Sequence, residues 1–163
     1  MFYRNEHSKS TFVKLVAGVA LAVLFLCAGA NAAAASVRRD SFLSQLLAAR
    51  GFATQTNARR NAAFILKNGI VTDQVDNLAS PVTRREALRW AIQALGLSAV
   101  ANILSDVHFE AVGLNFNDTA SLTPFERGSL IVATRMRPPI FRSDAGSFRP
   151  ARNLSQNDCS LGL

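Results

Sequence analysis

The sequence predicts an all-α fold, and three observations carry that reading. Two segments, Thr83-Arg84-Arg85-Glu86 and Thr123-Pro124-Phe125-Glu126, have the T-x-x-E form of a capping box, in which threonine serves the N3 amide and glutamate reaches back to the cap residue's own N–H. Apolar residues recur at helical spacing in stretches closed by glycine. No stretch alternates apolar and polar residues as a half-buried strand does.

Taken in order, Phe42, Leu43, Leu46 and Leu47 give one face of a short helix over 41–50, which Gly51 stops. Asn57 is positioned to cap a second helix through Asn68, ended by Gly69, with Ala62, Ala63, Ile65 and Leu66 as its inner face. Ile70-Val71 then enters a polar turn over 72–80. The Thr83 box opens the clearest helix, whose stripe is Ala87, Leu88, Ala91, Ile92 and Leu95 and whose end is Gly96. A short helix is expected over 98–104 and a loop over 106–115. The Thr123 box, with Pro124 at N1 where its missing N–H costs nothing, starts a last helix that Pro138-Pro139 must stop. From Ile140 onward the chain reads as loop.

The 163 residues suffice for one ordinary domain or two small modules, and 49% hydrophobic residues with only 5 prolines and 9 glycines argue for a compact core. Arg4, Lys9 and Lys14 precede an unbroken small or apolar run from Leu15 to Leu26, the layout of an export signal. Ala30-Asn31-Ala32 supplies the small residues of a cleavage site, so residues 1–32 are expected to be removed and the mature chain to begin at Ala33. The rival reading is an uncleaved anchor, since Leu15 to Ala35 carries no charge and is long enough to span a bilayer. Leu26 stands where a lipidation signal needs a small residue, so Cys27 is read as apolar filler. Cleavage would leave Cys159 alone, which excludes an internal disulfide.

Removing Arg4, Lys9, Lys14 and Glu6 from 18 basic and 11 acidic residues leaves 15 and 10, a formal charge of +5, and all the remaining basic residues but Lys67 are arginine. Export and the scatter of those arginines, without interleaved aromatics, argue against a nucleic-acid partner. Arginine suits bidentate recognition of carboxylate and phosphate groups, which envelope polymers carry; plain solvated charge is the alternative for most of them.

Catalytic chemistry has little to build on. His108 is the only histidine beyond the leader, with no cysteine or second histidine near it, and Asp106 reads as a turn acid. No nucleophile elbow, phosphate-cradling loop or H-E-x-x-H is present, so neither catalytic residues, metal ligands nor a cofactor are assigned.

The stretch Asn61-Ala62-Ala63-Phe64-Ile65-Leu66-Lys67-Asn68-Gly69-Ile70-Val71, then Pro81-Val82-Thr83-Arg84-Arg85-Glu86-Ala87-Leu88, then Ala94-Leu95-Gly96-Leu97 resembles an S-layer homology repeat, with Arg85 where that family usually has alanine. Phe116-Asn117-Asp118, the helix over 126–136 and Phe148-Arg149-Pro150 resemble parts of a second repeat. Its motif reads Leu154-Ser155-Gln156-Asn157-Asp158, with Gln156 in place of arginine and Asp158 in place of glutamate. The 72-residue step from Thr83 to Ser155 is long for tandem copies, and the five residues after Asp158 are too few for a helix.

The division that follows is a signal peptide over 1–32, a first repeat with an N-terminal helix over 33–105 and an incomplete second repeat over 106–163. The resemblance implies a small helical bundle that is exported to the cell wall, periplasm or cell surface and binds peptidoglycan or an anionic wall polysaccharide non-covalently. It implies no enzymatic activity, membrane contact only through an uncleaved leader, and scope for self-association to complete the bundle. Arg84 would face the ligand. Thr83 and Glu86 have a sufficient role as a cap, whereas Arg84 at N1 faces the positive end of the helix dipole and is best rationalised by a nearby anion. Arg85 is as well read as a ligand contact as a solvated charge, and Trp90 either stacks beside a sugar groove or sits in the core. On this reading Arg84→Ala weakens binding by ~1.5–3 kcal/mol and leaves folding nearly unchanged. The competing reading makes the chain the targeting or regulatory part of a truncated secreted enzyme such as a hydrolase.

Overall fold

The computed structural model describes residues 36–136, 146–155 and 158. These residues form an all-α structure of five packed helices: α1 (Arg39–Ala49), α2 (Ala58–Lys67), α3 (Arg84–Ala94), α4 (Ser98–Ile103) and α5 (Pro124–Arg135). A single 3₁₀ turn (Glu110–Val112) interrupts the stretch expected to be loop. The leader, the Pro138-Pro139 stop, Gln156 and Cys159 lie outside the described residues.

The local signals place the helix starts. Asn57 accepts from the Arg59 and Arg60 N–H groups at the head of α2. Both expected capping boxes close: Thr83 donates its N–H to Glu86 Oε2 at 2.9 Å and accepts from the Glu86 N–H at 3.2 Å, and Thr123 and Glu126 do the same at 2.8 and 3.3 Å. α1 and α3 are both 11 residues long, and each is followed by a glycine in the left-handed region, Gly51 and Gly96, which an L side chain would strain.

One boundary departs from expectation. α1 begins at Arg39, two residues before Ser41, because its first turn is held from outside: the Arg39 and Asp40 N–H groups donate to Ser80 and Leu78 carbonyls. Among the described residues, isolated strand-like bridges pair Ser36 with Ser155, Arg38 with Pro81, and Thr83 with Asn153.

A single core runs from Val37 to Leu154. α1 packs chiefly on α2, α5 on α4 and α3, and α3 touches α1, α4 and α5. α3 is therefore the central helix, and its burial extends past the expected stripe to Arg84, Trp90 and Ala94. Trp90 sits fully inside, 6.3 Å from the Phe42 ring, with its indole N–H on Asp73 at 3.0 Å. Of its two sequence readings the core one holds. On α2 the inner face narrows to Asn61, Ala62 and Ile65, while Ala63 is exposed. Buried Asn61 is satisfied by Ser44 Oγ and the Gln55 carbonyl and N–H, which ties α2 to α1.

Candidate functional site

Three extended segments meet beside the starts of α1 and α3. Val82 donates its N–H to the Val37 carbonyl, Leu154 to Val82, and Val37 to Leu154, at 2.8, 2.8 and 2.9 Å, a closed triangle of backbone hydrogen bonds around three buried side chains. Arg38, Thr83 and Ser155 each follow one of these apolar residues in sequence. The approaches also match: Asn77 and Arg149, the two described non-glycine residues with positive φ (45° and 54°), both stand six positions before a cap, and each accepts a turn hydrogen bond from the residue three further on. In the same register, Arg84 and Arg85 donate their N–H groups to the Arg152 and Pro150 carbonyls as Arg39 and Asp40 do to Ser80 and Leu78.

The motif with the weaker sequence match closes like the others. Ser155 donates its N–H to Asp158 Oδ2 at 2.8 Å, and the Asp158 N–H returns to Ser155 Oγ at 3.2 Å. Aspartate, one methylene shorter than glutamate, thus still completes the box.

Side chains link the segments in one direction. Arg39, first residue of α1, reaches Glu86 of the second box at 2.6 Å; Arg84, first residue of α3, reaches Asp158 of the third at 2.7 Å. The next step of such a relay would need a cation after Ser155 and an acid at the third position of α1. The sequence has Gln156 and Ser41 there, so both ends of that step lack their charge together.

This arrangement corrects the expectation for Arg84. Its side chain is 4% exposed, paired with Asp158, and its guanidinium lies 5.4 Å from the centre of the Phe148 ring. The anion that its helix-start position called for is a residue of the same chain. Thr83 and Glu86 keep their capping role, and Glu86 also receives Arg39. Arg39 was missed in sequence although a signal existed: Val37-Arg38-Arg39 repeats the valine-to-arginine spacing of Val82-Thr83-Arg84, at the head of a helix of the same length.

Arg85 and Arg89 remain partly open. They stand one turn apart on α3, each side chain about a third exposed. Arg85 donates to the carbonyl and hydroxyl oxygens of Ser121, and Arg89 pairs with Asp73 at 2.7 Å. Both approach Oε1 of buried Glu126 at 3.6 Å, and Arg85 Nε has no hydrogen-bond partner among the described residues.

Burial by itself would raise the Asp158 carboxyl; hydrogen bonds from Arg152 and from the Ser155 N–H and hydroxyl, with the Arg84 charge, outweigh it and hold the group below the ordinary aspartate value of 3.8. A depressed folded-state value stabilises the fold above that ordinary value, and the contribution disappears as pH falls through the folded one. Asp158→Asn should therefore lower Tm at neutral pH, and its deficit relative to wild type should shrink as pH falls below the ordinary 3.8 and through the depressed folded value. Thermal unfolding of both proteins across that range checks it; a deficit independent of pH would contradict the charge-based account.

Among the described residues no group of three or more His, Cys, Asp and Glu side chains is placed to hold a metal ion, and no helix is long and apolar enough to cross a membrane. The fold and site define an all-α bundle closed by a three-segment junction. No family model matches the chain, and no curated protein or solved structure matches it.

Proposed function

We propose that the protein is an exported, non-enzymatic module that holds an anionic polymer of the cell envelope, peptidoglycan or a charged wall polysaccharide, without a covalent bond. The observation that carries the reading is the Arg85–Arg89 pair: two guanidiniums one turn apart, partly open to solvent, over a carboxylate too far away to satisfy them fully. They lie on the helix opened by the motif that resembles an S-layer homology repeat. The recurrence of one cap geometry at Thr83 and Ser155 supports the repeat reading of the sequence. The ligand-facing role passes from Arg84 to Arg85 and Arg89, because a buried, paired guanidinium offers a polymer nothing.

The test is co-sedimentation with isolated cell-wall sacculi, run beside thermal unfolding. Wild type should sediment, and Arg85→Gln combined with Arg89→Gln should weaken binding by roughly 1.5–3 kcal/mol, about tenfold or more, the range for hydrogen bonds to a charged group. Glutamine at 85 keeps an N–H where Arg85 Nε approaches Glu126, and Asp73, which loses Arg89, keeps its Trp90 and Gln93 donors; the thermal unfolding separates any loss of stability from loss of binding. If wild type stays in the supernatant, or the double variant sediments as well as wild type, the wall-binding role of this pair is wrong.

A further inference from the structure

The opposite side of α2 presents a different kind of surface. Between Ser41 and Thr72 the sequence has no carboxylate, whereas Arg50, Arg59, Arg60 and Lys67 are all cationic. Arg50 turns back to the Ala94 carbonyl. The other three are exposed, and Arg60, Phe64 and Lys67 follow one another at helical spacing along the outer face of α2. Phe64 is 44% exposed and packs against Phe52, itself 42% exposed, with ring centres 5.8 Å apart and planes tilted by 58°. Two large apolar side chains left in water together are a cost the fold does not need, since Ala62 and Ile65 already fill the inner face of α2.

We propose that this face docks on an anionic lipid surface, with the Phe52 and Phe64 rings entering the interface and Arg59, Arg60 and Lys67 meeting lipid phosphates. Charge complementarity selects an anionic occupant, because Arg60 and Lys67 share the outer face of α2 with Phe64, Arg59 is exposed beside Arg60, and no acid of this stretch opposes them. The ring chemistry selects lipid over polysaccharide. Phenylalanine carries no polar handle to direct a sugar hydroxyl, and two rings tilted by 58° form a ridge rather than the flat platform on which a sugar ring stacks. The contact lies on a different helix from Arg85 and Arg89.

The experiment uses the full chain carrying Phe64→Trp with vesicles of brominated phosphatidylglycerol, whose bromine quenches an indole only on insertion. Trp90 is buried and serves as the internal constant, with the unsubstituted chain as its control, so the signal reports residue 64 whatever the leader does. Emission of the variant should fall about twofold with these vesicles and stay unchanged with brominated phosphatidylcholine. Adding Arg59→Gln, Arg60→Gln and Lys67→Gln should abolish the quenching while the thermal transition is kept. Absence of quenching, equal quenching by the neutral vesicles, or quenching that survives the triple substitution would each overturn the proposal. So would a shift of the reporter's emission on adding a soluble anionic wall polysaccharide in the absence of any lipid effect, which would assign the face to polymer.

Discussion

Arg84→Ala is expected to destabilise the protein by about 3–5 kcal/mol, the cost of removing one partner from a buried ion pair and leaving the other uncompensated. The pair is close, 2.7 Å, and both side chains are nearly dry, 4% and 7% exposed. Arg152 also reaches Asp158, so some compensation persists and the loss should fall toward the lower end of that range. The guanidinium contact with Phe148 goes as well, which loosens the seat of Phe148 beside the third segment. A second variant separates the charge from the packing. Arg84→Met with Asp158→Leu removes both charges together and should recover much of the stability, since a buried ion pair replaced by apolar residues of similar size is often neutral. Urea unfolding of wild type, single and double variants reads the difference. A single variant within about 1 kcal/mol of wild type would place Arg84 outside the core. Thr83→Ala, by contrast, should cost only about 1 kcal/mol, the ordinary worth of an N-cap.

Gly128→Ala should be comparably damaging for a steric reason. A Cβ built on Gly128 would lie 1.8 Å from the Ala101 carbonyl oxygen and 2.8 Å from its carbon, and that neighbour is backbone, which no rotamer change can move aside. α4 and α5 would have to separate along their whole contact, exposing Leu130 and Ala101. Alanine's helix preference over glycine, about 1 kcal/mol, works in the other direction and is too small to offset this. We expect a net loss of about 3 kcal/mol, the upper part of the range for overpacking, and a Tm lower by roughly 10 °C. An unchanged or raised Tm would mean that α4 is free to shift at little cost. Alanine at Gly113, where the nearest atom to a new Cβ is a flexible arginine end at 3.9 Å, supplies a control in which only the positive φ is strained.

Much of the helical framework was legible because its determinants are local. A capping box is a contact between residues three apart, an Asn cap reaches two or three residues, and a glycine stop is a property of one backbone position; the starts of α2, α3 and α5 accordingly fall where the sequence places them. The start of α1 did not, because its N-cap, Arg38, makes no side-chain cap and owes its position to Ser80, Leu78 and Pro81. The candidate site was legible only in its outline. The sequence picks out Thr83 to Glu86 and the Ser155 to Asp158 copy, and it leaves open which of two adjacent arginines faces outward. A helix turns by about 100° per residue, so Arg84 and Arg85 must point in different directions, but the sequence does not say what lies on either side.

What the sequence determined by itself, then, is the all-α character, the two threonine caps and the reserve of arginines, all of which follow from interactions within one helical turn. Tertiary structure decided what those arginines and Trp90 do. Arg84 finds Asp158 across 74 residues, Arg39 finds Glu86 across 47, and Trp90 finds Asp73 across 17. Which carboxylate meets which guanidinium depends on the closure of the Val37, Val82 and Leu154 triangle, a backbone contact among three distant segments. A buried charge is tolerated only where that closure delivers its partner, and so burial, pairing and exposure of identical side chains diverge within a single turn of α3.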